Sequence, residues 1–302
     1  MTEEAEPKSA ASQPPTASRP IAWQPLTPRG VAAFAHAPLM RLLLVQFIFA
    51  LAAAIAVVWF LRASWFPTVR EAIDNLPAQG EMKSGKLEWA GDSPQLLGEG
   101  HFLAFVVDTN HTGMLRSPAQ IQVEFGRSDI YFYSLVGYNE WPYPPDWSFG
   151  VNRAALKPWW GAWEAPILWL VFVGTIVWCL VSWWALATIY FLPVWLGGFF
   201  GNRDLNLWQS WRLAGAALMP GALVMIVTIV AYGFGVLDLV QLAAGVVAHV
   251  LVGWAYTFWG AWVTPKISAS ATPAKNPFST ESEKPVVTKR QENPFVKQAN
   301  DE

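Results

Sequence analysis

The chain has 302 residues, 53% of them apolar and 14% charged, with a formal net charge of −2. A charged share about half that of ordinary soluble domains argues against one or two such domains, and the near-neutral balance gives no reason to propose a nucleic-acid partner. The single cysteine, Cys179, excludes an intramolecular disulfide, so any soluble part must fold on its apolar core alone.

In chain order, residues 1–26 are rich in Pro, Ser, Ala and Thr and read as disordered. Residues 28–37 suit a short interfacial helix, so 1–37 is expected to be a cytoplasmic tail and entry segment. The first long apolar run covers 39–61. It matches the roughly 20 residues that a helix needs to cross about 30 Å of hydrocarbon. It starts too far behind the N-terminus and is too long for a signal peptide core. Ala63-Ser64 is followed by Trp65 and Phe66 without an A-x-A pattern, so 38–62 reads as an uncleaved anchor.

Residues 63–163 separate this run from the next. Pro67 suits a helix start, Val69, Ile73 and Leu76 recur at helical spacing, and Pro77 ends the pattern. Residues 82–89 predict a tight hairpin around Ser84-Gly85. Residues 101–108 are nearly all apolar and predict a strand buried on both faces. Ile121, Val123 and Phe125 alternate with Gln120, Gln122 and Glu124, and a turn at 126–128 leads into a second strand over 129–135. The expectation is a small α+β domain over about 66–136. An irregular aromatic and proline-rich apron, with Trp141, Tyr143 and Trp147, follows over 137–163.

Three further runs cover 167–189, 213–232 and 240–263. They predict helices at about 166–190, 212–233 and 239–263 within a segment 164–264. The second run continues apolar to Phe200, which suggests a kink at Pro193 and an interfacial extension. Pro220 should bend the third helix. Residues 265–302 are polar and read as a disordered tail, with Asn-Pro-Phe at 276–278 and again at 293–295. The fold class is therefore an α-helical integral membrane protein. It has four transmembrane helices, one plus three, and a small α+β extracytoplasmic domain between helices 1 and 2.

Charge gives the four spans a direction. Arg41 lies near the start of the first, Arg203 and Arg212 lie in the 201–212 loop, and Lys266 begins a basic tail, while the 233–239 connection carries only Asp238. The positive-inside rule then places both termini and the 201–212 loop in the cytoplasm and 63–163 outside. Many of the 19 tryptophans cluster near span ends, among them Trp59, Trp65, Trp159, Trp160 and Trp163, as an interfacial belt requires.

Within the spans, His249 is the one titratable side chain well inside. Gly245, His249, Gly253 and Thr257 recur every four residues and share one helix face. Glycines there permit close helix approach, and an intramembrane histidine is a candidate site. The alternatives are a functional histidine and one that hydrogen-bonds Thr228, Tyr232 or Gln46. His101, Asp108 and His111 carry metal-ligand chemistry, but strand alternation sends His101 and Asp108 to opposite faces. No catalytic motif, metal site or cofactor site is expected.

The stretches Arg70-Glu71-Ala72-Ile73-Asp74-Asn75-Leu76-Pro77, Ser84-Gly85-Lys86-Leu87 and Val106-Val107-Asp108-Thr109 carry a family resemblance, as does Ser210-Trp211-Arg212-Leu213-Ala214 with Pro220. Over roughly 27–265 the chain resembles a family of bacterial multi-pass membrane proteins known only as a domain of unknown function, with a remoter likeness to Yip-type membrane proteins. The resemblance implies the same one-plus-three topology and a bacterial inner membrane. It transfers no catalytic residue. The expected function is non-enzymatic: binding, sensing or scaffolding through the external domain. Expected partners are the lipid bilayer and another membrane or envelope protein, or a second copy of the chain. The alternative is a transport-associated subunit or small carrier that uses the His249 face.

Overall fold

The computed structural model describes residues 23–267. Nearly all of both expected tails, with the two Asn-Pro-Phe repeats, lie outside the described residues. Four helices are long and apolar enough to cross a membrane: Leu39–Asp74, Arg153–Phe200, Leu207–Gly233 and Leu239–Val263. A small domain of two sheets lies between the first and second of these in the chain.

The short helix α1, Pro28–Phe34, begins where the Thr27 hydroxyl accepts from Gly30 N at 3.1 Å, with proline in the first turn. Helix α2, Leu39–Phe60, continues through one π-helical turn, Leu61–Trp65, into α3, Phe66–Asp74. Pro67 therefore sits inside a continuous rod rather than starting a separate helix. The widened turn, closed by Phe66 N onto Leu61 O, accommodates a residue that can donate no N–H.

Helix α4, Arg153–Phe200, has 48 residues, which at 1.5 Å per residue is about 72 Å. It starts on Asn152, whose Oδ1 accepts from Ala155 N at 3.0 Å. It passes through Pro158, Pro166 and Pro193, so no separate segment follows Pro193. Val194 and Gly198, which follow the last of these, are buried, and a Cβ on Gly198 would meet the Leu205 side chain. That packing holds the final turns helical despite the lost hydrogen bond.

Helices α5, Leu207–Gly233, and α6, Leu239–Val263, each start with a capping box, Asn206 with Gln209 and Asp238 with Gln241. Helix α5 is the interior helix and packs against α2, α4 and α6. The bundle core joins Leu42 and Val45 of α2, Ala187 and Val194 of α4, and Leu213, Ala217 and Met219 of α5, with Val31 and Phe34 of α1 beneath.

The larger sheet has the order β3-β4-β5-β6-β7, made of Gln95–Glu99, Leu103–Val107, Ile121–Phe125, Asp129–Ser134 and Gly137–Pro142. Strands β4 and β5 run parallel, and the other neighbours are antiparallel. The smaller sheet, β2-β1-β8, uses Lys86–Trp89, Gly80–Lys83 and Phe149–Gly150. The hairpin between β1 and β2 turns on Ser84 and Gly85, both in the left-handed region, as a two-residue turn matched to strand twist needs. The stretch 137–150 thus supplies two strands where an irregular apron was expected. Strand β7 pairs with β6 over six residues, from Gly137 to Pro142. The backbone ladder, rather than any apolar alternation, fixes that strand.

Two features join this domain to the helices. Residues 77–81 meet 149–153: Val151 N donates to Gly80 O at 2.8 Å, Asn152 Nδ2 to the same oxygen at 3.3 Å, and Glu81 pairs with Gly150. Below the sheets, Phe102 packs edge-on to Phe60 with ring centres 5.3 Å apart and lies 4.8 Å from Tyr232. That places an aromatic plug against the ends of α2 and α5.

Candidate functional site

The two sheets do not close against each other. Strand alternation sends Phe105 and Val107 of β4, Phe125 of β5 and Ile130 of β6 to one face of the larger sheet. Met82, Leu87 and Trp89 face them from the smaller sheet, and Val69, Ala72, Ile73 and Leu76 close one side from α3. Between them lies a cavity of about 530 Å³, within the size range of small-molecule sites. Its mouth carries Trp141, Trp147 and Phe149, which are 60%, 43% and 45% exposed. Leu156, in the first turn of α4, also lines it.

Polar atoms on these walls are already used. Trp89 Nε1 donates to Asp92 O at 2.9 Å, and the Tyr143 hydroxyl donates to Gly126 O at 3.3 Å. Burial, with the charges of Asp129 and Tyr131 nearby, pushes the Tyr143 phenol well above its ordinary range, so it stays neutral. The cavity can therefore accept hydrocarbon at little cost. A charged or strongly polar group would lie there unpaired, at a penalty of several kcal/mol on the order of an unsatisfied buried group.

Leu87 and Trp89 also border a second cleft, of about 640 Å³. Its rim is polar: Glu81, Glu88, Thr109, Asn110, Arg127 and Asn152. Arg127 forms no ion pair among the described residues. An apolar volume and a polar one therefore meet at two side chains.

The opposite face of the larger sheet departs from simple alternation. Gln122 and Glu124 alternate with the apolar residues of β5, yet both are buried, Glu124 completely. The β4–β5 crossover, residues 108–120, folds over them. His111 Nδ1 lies 2.8 Å from Glu124 Oε1, and Arg116 Nη1 lies 3.3 Å from Oε2. The His111 ring stacks on Tyr131 with centres 4.1 Å apart, and the Arg116 guanidinium sits 3.9 Å above the Tyr133 ring. Asp108 opens the crossover and accepts from the Thr112 hydroxyl at 2.7 Å and Gly113 N at 3.1 Å. His101 is elsewhere, against Phe102, with Nε2 3.2 Å from Gln120 Nε2. His101, Asp108 and His111 are thus held by different partners. Among the described residues no group of three or more His, Cys, Asp or Glu side chains is placed to hold a metal.

The residues singled out in the spans fall into two groups. Gly245, Gly253 and Thr257 lie where α6 packs on α5. A Cβ on Gly245 would meet Thr228 Cγ2 at 2.4 Å, and one on Gly221 would meet His249 O at 2.4 Å. Thr257 is buried and donates to Gly253 O at 2.8 Å. His249 Nδ1 is shielded from solvent and has no hydrogen-bond partner among the described residues, so none of Thr228, Tyr232 or Gln46 bonds to it. Gln46 instead joins three helices: it accepts from Trp184 Nε1 at 3.1 Å and donates to Gly215 O at 3.3 Å.

Arg41, Arg203 and Arg212 gather at the end of the bundle away from the sheets. Arg203 Nη1 donates to Thr264 O at 2.7 Å and Arg212 Nη1 to Ala37 O at 2.6 Å, while Arg41 lies over Trp23. Asp204 is the sole acid among the described residues at that end.

Comparison with protein-family models, with curated proteins and with solved structures gives no match.

Sequence reading missed the cavity because its walls come from five separate stretches. The one local signal was the density of large rings between 141 and 149, in a segment whose Pro142, Pro144 and Pro145 break any regular element. Such rings with no helical or strand period fit a mouth better than a wall.

Proposed function

We propose that this chain is a multi-pass protein of the bacterial inner membrane that binds an apolar ligand in its sheet domain, outside the cytoplasm, with both termini inside. Its role is recognition rather than catalysis, and the four helices anchor and position the domain. The cavity between the two sheets carries this reading, because its walls are hydrocarbon and its mouth is ringed by exposed aromatic side chains. The orientation is supported by Arg41, Arg203 and Arg212 at the end of the bundle opposite the sheets. The family resemblance along 27–265 supports the bacterial membrane. A liganded domain of this kind would pass its state to another membrane or envelope protein, or to a second copy.

The test uses the full-length protein in lipid nanodiscs and an environment-sensitive anilinonaphthalene dye. Saturable dye binding, weakened at least tenfold by Val69→Trp with an unchanged melting temperature, is the expected result. Binding that ignores this cavity-filling change would refute the site. Reporter fusions after residues 110 and 270 should read outside and inside respectively, and the reverse pattern would refute the orientation.

A further inference from the structure

The geometry points to the identity of the apolar ligand: one hydrocarbon chain of a lipid drawn from the leaflet beside the domain. This inference rests on the cavity reading above and names its occupant.

Three observations converge on it. The first is chemical. With Trp89 Nε1 and the Tyr143 hydroxyl already bonded to backbone carbonyls, the walls offer carbon contacts alone, which suits methylene groups and excludes a head group.

The second is position. Val69 and Ile73 stand on the rod that continues the first apolar helix, and Leu156 stands on α4. Trp159, Trp160 and Trp163 follow Leu156 within two turns, and Trp160 packs on Phe66 with ring centres 5.0 Å apart. Indoles mark the lipid–water boundary. At 1.5 Å per residue the Leu156 side of the cavity therefore lies only about 6 Å along α4 from Trp160. A chain needs to rise by about one helical turn to leave the bilayer and enter the domain.

The third is the adjoining cleft. Beyond Leu87 and Trp89 the surface turns polar, with Arg127 of one sign and Glu81 and Glu88 of the other. A lipid head that carries both a phosphate and an amine matches that mixture and can stay in water while its chain is buried.

The experiment places full-length protein in nanodiscs of phosphatidylethanolamine and phosphatidylglycerol, doped with a phospholipid bearing a diazirine at the chain terminus. After irradiation, labelled residues are mapped by mass spectrometry. Labels on Val69, Ile73, Leu97 and Phe105, reduced at least fivefold by Val69→Trp and by Leu156→Asp, support the proposal. A parallel arm adds a soluble diazirine fatty acid to undoped nanodiscs. Labelling of the cavity in that arm alone would overturn the bilayer as the source. Labels confined to the four apolar helices, with dye binding to the domain intact, would overturn the lipid chain while leaving an apolar site. Loss of both dye and label would overturn the site itself. Unchanged melting temperatures for both variants separate a blocked cavity from a misfolded one.

Discussion

The Gln46 amide is completely buried among apolar helices, so each of its hydrogen bonds has to be made within the bundle. Gln46→Leu strips the partners from Trp184 Nε1 and Gly215 O. We expect it to cost about 1–2 kcal/mol, read as a lowered melting temperature in detergent, with Gln46→Glu at least as costly. Asp108 makes a pH-dependent contribution. Burial pushes its carboxyl up, but the Thr112 hydroxyl and backbone N–H groups of the same turn outweigh that and hold it below the ordinary value of 3.8. Folding therefore favours the ionised form. Its stabilisation is complete above that value and declines as the pH falls below it. Asp108→Asn should remove this acid-dependent part of the unfolding profile and destabilise the protein at neutral pH by about 1–2 kcal/mol. A gap between the Asp108→Asn and parent profiles that stays constant from pH 7 down to pH 2 would contradict this. The sequence singled out Gln46 as a partner for His249 and Asp108 for its metal-ligand chemistry, but the contacts they make are with Trp184 and Gly215 and with Thr112 and Gly113. Those contacts depend on tertiary neighbours: α4 and α5 enclose Gln46, and the folded crossover over Gln122 and Glu124 turns Asp108 inward.

Close approach of α5 and α6 depends on two glycines. Gly221→Leu would drive a side chain into the His249 carbonyl, and we expect a loss of about 2–3 kcal/mol or misassembly on gel filtration. Gly161→Ala is the control: nothing lies within 4 Å of a Cβ there, so the change should be neutral or slightly stabilising. The Gly245 and Gly253 spacing was legible because helix periodicity alone puts these residues on one face. What the histidine would touch was not, since that depends on which helices become neighbours. Between α3 and α4, Asp74 meets Lys157 at 2.7 Å and Arg153 at 3.4 Å, and Arg70 meets Glu164 at 3.2 Å. These pairs are exposed, so Asp74→Asn should cost under about 1 kcal/mol. The bonds of the Val151 backbone N–H and the Asn152 side-chain amide to Gly80 O tie the start of α4 to the first sheet.

For the molecule as a whole, the four apolar helices and the existence of a sheet domain were legible from run lengths and from the hairpin signals at 84–85 and 126–128. Its outer boundary was not. Strand β8 has two residues and no pattern, and it exists because β1 offers an open edge for it. Proline in place of Val151 would remove the N–H that reaches Gly80 O. We expect Val151→Pro to open the domain to limited proteolysis within 77–100 while the bundle stays resistant. The pairing of β1 with β8 also sets an order of events. As the chain leaves the ribosome, Gly80 appears some seventy residues before its partners at 150–152. Until those residues arrive, the first sheet is an unfinished hairpin, and the cavity lacks both Phe149 and Leu156. The domain therefore closes last, after the other strands have emerged, and the same event seats the start of α4. Closure of the domain and placement of α4 thus wait on one long-range pairing, whose loop-closure entropy must be met before any of its contacts form.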